Sequence, residues 1–396
     1  MSGVLELQMT DPALLRDPGA AYVRAAADAP VARLVGPGLA FWVVLRHAEG
    51  RAVLSDPRLR TNEDSYLRPD VPADCLPYMR TMTEMNGAEH ARLRRLVAPA
   101  FTPRRAAEFR PRVERVVGAL LDELPGRAGP DGTVDLLEHF ARPLPMEVIC
   151  ELTGIPAADR PAWREWGAAV AAGHGEAFGQ AIPRILDGAR AAVARCRAEP
   201  GDDLISELAR VQEEDGDRLS EAELVTLVWQ LVLAGQTPTN LIANAVAVLH
   251  EHPGQLAALR ADPELMPGAV EELMRWCGPQ LLTIPRFTTE EIEIGGVPVP
   301  AGEPVTVAIP AANRDPRVFA DPDRFDVTRE PAGHLGFAHG PHFCAGASLA
   351  RVQTAVALGA LLDRFPGLAL AGEPPRAPDP GTARLLSLPV TLGAAG

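Results

Sequence analysis

The most reactive residue types in this chain crowd into one short run, Phe337-Ala338-His339-Gly340-Pro341-His342-Phe343-Cys344-Ala345-Gly346. Gly340, Pro341 and Gly346 predict a turn-rich loop, and Ala347 to Arg364 predicts a helix that starts as the loop ends. Cys344 is thereby placed just ahead of a helix N-terminus. Unpaired backbone N–H groups and the positive end of the helix dipole favour a thiolate there. Hydrogen bonds from such a loop to the sulfur also tune any metal it holds. Two other readings compete with a metal-bound thiolate. A lone cysteine is often a small buried hydrophobe. Zinc is the sharper rival, because His334, His339, His342 and Cys344 lie close together in sequence. Structural zinc sites pair short spacings from two distant knuckles, and no second knuckle is present.

The run resembles the haem-ligand signature of the cytochrome P450 superfamily, Phe-x-x-Gly-x-His-x-Cys-x-Gly, at Phe337, Gly340, His342, Cys344 and Gly346. One softer preference is missed: the family usually has glycine after the phenylalanine, and this chain has Ala338. The resemblance implies that Cys344 is the axial ligand to the iron of haem b (iron protoporphyrin IX). Thiolate ligation pushes electron density onto the iron and favours O–O cleavage, which is oxygenase chemistry.

Upstream, Asn86-Gly87-Ala88-Glu89-His90 opens a basic helix. His90 and Arg94 are spaced i, i+4 and leave one helical face, a pairing that can receive a carboxylate. Taken alone this is an ordinary solvated basic face; the family has His-x-x-x-Arg here for a haem propionate. Arg286, in the extended run Leu281-Leu282-Thr283-Ile284-Pro285-Arg286-Phe287, matches the family's other propionate-binding arginine.

Residues 221–251 form one long apolar segment with Ala234-Gly235-Gln236-Thr237-Pro238-Thr239-Asn240 at its middle. The family crosses the oxygen-binding face of the haem with a helix bearing Ala/Gly-Gly-x-Asp/Glu-Thr. Ala234 and Gly235 fit; Thr237 stands in the acid's place and Pro238 in the threonine's. Pro238 has no N–H for the carbonyl of Ala234 and its ring clashes with that carbonyl, so a kink is expected. Thr237 and Thr239 are the candidate catalytic hydroxyls, each one residue from the expected position. Gln236 and Asn240 are neutral and cannot serve as general acids. The groove is expected to survive while the acid–alcohol relay does not, with protons drawn from water or from a substrate hydroxyl.

Glu272 and Arg275 form Glu-x-x-Arg on one helix face. The family buries this pair and closes it with a further arginine, assigned here to Arg324; the triad is read as structural support for the cysteine loop. Candidate substrate contacts are Met79, Met82 and Met85 in the proline-rich loop 56–85, with Leu281, Leu282 and the run to Ile284 further on, and Leu385 in the candidate pocket wall Arg384-Leu385-Leu386-Ser387. A methionine stripe packed in the core is an equal reading. The small-residue stretch 167–183 falls where the family places a mobile lid.

These residues need a scaffold, and 396 residues can bury a large core. A length prior of about 150 residues per domain argues for two or three domains. Pro and Gly are spread throughout rather than gathered in a linker, and the resemblance, from about residue 10 to the end, implies a single haem-thiolate oxygenase domain over 1–396. The expected fold is mainly α (α+β): a helical prism with a small β portion, haem between the kinked helix and the cysteine loop. Helices are expected from 108 to 250, a buried strand over Ala40–Leu45, and short strands at Ile292–Ile294, Val297–Val299 and Val305–Ile309.

The formal charge of −14 argues against nucleic-acid and anionic-membrane partners. No signal-like N-terminus is read, and the longest apolar run falls short of about 20 residues, so a cytoplasmic protein is expected. Five widely spaced cysteines, an odd number, do not make a disulfide framework. The resemblance implies a small-molecule substrate, of a bacterial secondary-metabolite type such as a macrolide or peptide. It also implies electrons from NAD(P)H through a separate ferredoxin and ferredoxin reductase. Arg92, Arg95 and Arg104 are read as the docking patch. The alternatives are an oxidative ring-closing or coupling enzyme, a peroxide-driven enzyme, and a haem-bound scaffold without activity.

Overall fold

The computed structural model describes residues 4–66, 70–171, 176–215, 218–330 and 333–393. Prolines and aspartates punctuate the N-terminus. Pro12–Arg16 and Pro18–Asp28 are helices with proline at the first position, each capped by the aspartate before it: Asp11 accepts from Ala13 N at 2.8 Å and Asp17 from Ala20 N at 2.9 Å. The β portion is a six-stranded sheet in the order Leu5–Gln8, Val31–Gly36, Leu39–Val44, Pro304–Val307, Arg286–Thr288, Leu59–Arg60. It joins the N-terminal strands to residues 286–307, and its fifth strand carries Arg286.

The hairpin Ile292–Ile294/Val297–Val299 turns at Gly295 and Gly296, with φ of 57° and 82°, a conformation open to glycine at no cost. The expected strand 305–309 ends sooner: Pro304–Val307 is strand and Ile309–Ala312 a helical turn. A second sheet of Thr133–Asp135, Pro389–Thr391 and Ala369–Leu370 was not foreseen, because strands of two or three residues carry no readable periodicity.

The core is helical. Pro103–Glu123 and Ala347–Arg364 pack against each other, and Pro143–Thr153, Glu176–Ala198 and Met266–Cys277 complete the bundle. The 221–251 segment runs through it, and 61% of its most apolar window is buried, so its hydropathy is that of a core helix. Pro238 does more than kink it: the segment is two helices, Glu221–Ala234 and Pro238–Glu251, with proline at the start of the second. The first opens on a capping box between Ser220 and Glu223.

Among its described residues, the loop 56–85 contains three short 3-10 segments, Glu63–Ser65, Ala73–Tyr78 and Met82–Glu84. It is tied down onto the first half of the broken helix. Thr226 Oγ1 and Trp229 Nε1 donate to the Tyr78 carbonyl at 3.1 and 3.2 Å, and Gln230 Oε1 accepts from Met82 N at 3.1 Å.

Candidate active site

The cysteine loop is held by its own backbone. Cys344 N donates to the Phe337 carbonyl at 3.0 Å, Phe343 N to Gly340 O at 3.0 Å, and Ala338 N to Leu335 O at 2.9 Å. The path requires left-handed backbone at Ala338 (φ 59°) and Gly340 (φ 72°). Gly340 meets that need without strain, and a Cβ there would collide with the Leu54 carbonyl. Ala338, standing where the family prefers glycine, adopts the same region at a cost. Cys344 is exposed by surface area, yet burial raises its thiol pKa, while the Gly346 N–H and the charges of Arg94 and Arg351 pull it down. Both hold for a sulfur lining an interior hollow. Coordination to a metal is what deprotonates such a thiol outright.

Around it stand cations without counter-ions. Arg94 Nη2 donates to the Phe343 carbonyl at 2.6 Å and Arg286 Nη1 to the Leu54 carbonyl at 2.6 Å. His90, from the helix Gly87–Val97, stacks on His342 with ring centroids 4.2 Å apart. Among the described residues neither Arg94 nor Arg286 is in an ion pair. Burial lowers Arg286 to about 10 and lowers Arg94 as well, although Cys344 offsets part of that. His342 falls to about 3 through burial and then the charges of His90, Arg286 and Arg94. Desolvated arginines converging beside a thiol, with no carboxylate partner among the described residues, fit a metal-bearing ligand that carries carboxylates of its own. Haem has that composition.

The broken helix faces the loop from the other side. Leu241 and Phe337 share a buried cluster with Met274, Ala347 and Ala350, which seats the helix beginning at Pro238 against the cysteine loop. At the break, the Ala234 carbonyl that Pro238 cannot satisfy accepts from Thr237 N at 3.2 Å and from Thr237 Oγ1 at 3.0 Å. Gly235 packs so closely on Ile149 that a Cβ would overlap it. Thr237 therefore spends its hydroxyl on its own helix. The Thr239 hydroxyl has no hydrogen-bond partner among the described residues.

Two buried networks brace the loop. Arg275 grips Glu272 bidentately (Nε–Oε2 2.6 Å, Nη2–Oε1 2.8 Å), and Nη1 donates to the Asn313 carbonyl at 3.0 Å. Asn313 Oδ1 in turn accepts from Leu335 N at 2.7 Å, two residues before Phe337. The third member is Arg329 (Nε–Oε1 of Glu272, 3.2 Å) and not Arg324, whose side chain is 65% exposed and pairs with Asp326. Arg324 contributes only its carbonyl, which accepts from both Arg275 and Arg329. Sequence reading also missed Glu271, which binds Arg351 (2.5 and 2.8 Å) and His334 (3.1 Å). The doubled acid Glu271-Glu272 was its only signal.

The expected substrate contacts mostly point inward. Met79, Met82, Met85 and Leu385 belong to the main core and Leu281 to a satellite cluster; Leu282 is half-buried. Ile284 and Leu386, from the same two expected pocket walls, are exposed, at 41% and 58%. Leu282 pairs with Ala308 and Arg286 with Val305, four residues against three, so the run does not keep a strict alternation between them. Of the basic patch, Arg92 is consumed by Glu223, while Arg95 is exposed and Arg104 pairs loosely with Glu108 at 3.4 Å. His334 and His342 are engaged apart, and among the described residues no three His, Cys, Asp or Glu side chains converge as a metal site. The glycine-rich centre of 167–183, residues 172–175, lies outside the described residues.

A cytochrome P450 family model matches residues 190–392. The chain is 42% identical over 386 residues to cytochrome P450 107B1 of Saccharopolyspora erythraea, covering 94% of this chain and 93% of the relative. It is 42% identical over 367 residues to 6-deoxyerythronolide B hydroxylase of the same organism, covering 88% and 89%. Among solved structures it is similar to CxnD, described as a cytochrome P450 enzyme for C–S bond formation in chuangxinmycin biosynthesis. There the TM-score is 0.87 at 34% identity, with 100% and 98% of the two chains covered. A thiol in a glycine-bent loop, arginines without an acid partner among the described residues and a helix broken beside them thus fall together with relatives that span nearly the whole chain, and the chain belongs to the cytochrome P450 family.

Proposed function

We propose that this chain, as a single domain over 1–396, holds haem b through Cys344 and inserts one atom of O₂ into a C–H or C=C bond of a small organic substrate. The observation that carries the reading is the donor set gathered beside Cys344, the desolvated cations Arg94 and Arg286 with the imidazoles of His90 and His342, with no carboxylate among the described residues. When bound, a thiolate-ligated haem supplies reductive activation of O₂.

The chain's own residues do the rest. Arg94 and Arg286 bind the carboxylates of the cofactor, and their carbonyl contacts aim them. His342 stays neutral in its buried, positive surroundings and packs on His90. Gly346 donates to the Cys344 sulfur and favours its thiolate form against the burial that raises the thiol, and coordination to the iron would complete the deprotonation. Thr237 holds the Ala234 carbonyl, so the break stays open without a titratable side chain between 234 and 240. Protons then reach the site from water or from a substrate hydroxyl.

Ile284 and Leu386 supply exposed apolar surface for a substrate, with Leu282 beside them. A bacterial secondary metabolite of macrolide type is the substrate class, supported by the similarity to 6-deoxyerythronolide B hydroxylase. Electrons come from NAD(P)H through a separate ferredoxin and reductase docking at Arg95 and Arg104, and the enzyme works in the cytoplasm. Oxidative ring closure or coupling is the second reading, favoured by the missing acid at the break and the similarity to CxnD.

The test is turnover with a surrogate ferredoxin, its reductase and NADPH, after macrolide aglycones have been screened for a spin-state shift of the Soret band. Product heavier by one oxygen, with NADPH and O₂ consumed in step, supports monooxygenation. Product lighter by two hydrogens supports ring closure. No substrate-stimulated consumption overturns both.

A further inference from the structure

At the start of the cysteine loop, four groups form a stack. Glu271 binds Arg351 through both carboxylate oxygens, at 2.5 and 2.8 Å. The Arg351 guanidinium lies 4.4 Å from the Phe337 ring centroid, flat enough for a cation–π contact. Phe337 is 6% exposed, and its carbonyl receives the Cys344 N–H. His334 closes the outer end: Nε2 meets Glu271 Oε2 at 3.1 Å and Nδ1 accepts from Gly336 N at 3.1 Å, so the same acid also fixes the strand of loop leading into Phe337.

Arg351 sits in the second turn of the helix that starts at Ala347, and its charge reaches the thiol. The guanidinium is planar and its fork fits a carboxylate, so Glu271 does two things at once. It cancels most of the positive charge, and it pins the guanidinium on Phe337 rather than leaving it to swing toward the sulfur. The Glu271 side chain is 17% exposed and that of Arg351 36%, so water screens this pair less than a surface pair.

We propose that Glu271 and Arg351 set the reduction potential of the thiolate-bound haem, with Glu271 acting as a positioning residue that neutralises Arg351 and places it against Phe337. The inference rests on the haem-thiolate reading above. A charge near the iron shifts the balance between ferric and ferrous forms directly. Removing the acid leaves Arg351 uncompensated beside the thiolate and favours the ferrous form. Removing the arginine leaves Glu271 uncompensated and favours the ferric form. Removing both restores near-neutrality.

The experiment is a spectroelectrochemical titration of the ferric holoenzyme, free of substrate, with Glu271→Gln, Arg351→Met and the double variant. Asp122→Asn is the control: Asp122 pairs with Arg364 at the far end of the same helix, with side chains 72% and 48% exposed. The midpoint is expected to rise in Glu271→Gln, fall in Arg351→Met, return toward wild type in the double variant and stay put in the control. Arg351→Lys, which keeps the charge and loses the fork, is expected to fall between wild type and Glu271→Gln. Unchanged midpoints in both single variants, a double variant that keeps the full shift of either single one, or a control that moves equally would overturn the proposal. The thiolate-type ferrous–CO band is recorded on every variant: its absence from wild type defeats the haem-thiolate reading, whereas its presence with unmoved midpoints defeats only the role of Glu271 and Arg351.

Discussion

Replacing Arg329 and Arg324 separately by methionine asks which arginine closes the buried acid–arginine cluster. Methionine keeps much of the length of the side chain and removes the charge. Glu272 and Arg275 have side chains 1% and 2% exposed, and Arg329 is 16% exposed, so the cluster is cut off from water. Arg329 also donates to the carbonyls of Ala320 (2.6 Å), Asp321 (3.0 Å) and Arg324 (2.8 Å), and all three lose a partner when it is removed. Taking one member from a buried ion pair costs about 3–5 kcal/mol. Here Arg275 still grips Glu272, so the lower end, about 3 kcal/mol, is expected for Arg329→Met. Arg324 is 65% exposed and its pair with Asp326 is a surface one, worth about 0–1 kcal/mol. Its structural contribution is a backbone carbonyl, which substitution leaves in place. Thermal unfolding midpoints and the fraction of bound haem, measured side by side, should show Arg329→Met strongly impaired and Arg324→Met close to wild type. Equal losses, or a greater loss at Arg324, would refute the assignment.

Other expected outcomes concern the loop and the break. Ala338→Gly relieves left-handed backbone worth about 1–2 kcal/mol against about 0.4–1 kcal/mol of extra unfolded-chain entropy, so chemical denaturation should show a gain of about 1 kcal/mol. Burial pushes the Glu271 carboxyl up, but the hydrogen bonds from Arg351 and His334 outweigh it and leave the group at about 2, against an ordinary 4.5. A folded value below the unfolded one means stabilisation that is present above about pH 4.5 and lost as pH falls toward 2. An acid-unfolding titration should therefore show Glu271→Gln losing less stability than wild type across that window; parallel curves would contradict it. Thr237→Ala and Thr239→Ala should each retain most of the product formed per NADPH, because no hydroxyl relays protons at the break. Abolished coupling in either variant would show that its hydroxyl does.

The parts of the site that rest on local rules were legible beforehand. A proline without an N–H must interrupt a helix, and Pro238 does so whatever surrounds it. Likewise, residues at i, i+4 share a face, which puts His90 and Arg94 together. What escaped depends on how distant chain segments fold back. Arg324 and Arg329 flank the same turn, and only the path of residues 321–329 decides which side chain turns inward and which lends its carbonyl. In the run 281–284, all expected to line the pocket, Leu281 turns into a core cluster and Ile284 stays exposed, and the pairing with residues 305–308 decides which. The three methionines occupy successive positions at spacing three, as core residues on 3-10 turns do and as a substrate wall also could. Glu271 finds its partner Arg351 eighty residues downstream, beyond the reach of any local rule.

The central claim is that the sulfur of residue 344 ligates a haem iron, and the carbon monoxide difference spectrum of the dithionite-reduced protein reads that bond most directly. A long-wavelength Soret band of the thiolate type is expected in wild type and its loss in Cys344→Ala. A wild-type spectrum without that band, or a Cys344→Ala spectrum that keeps it, would contradict the claim.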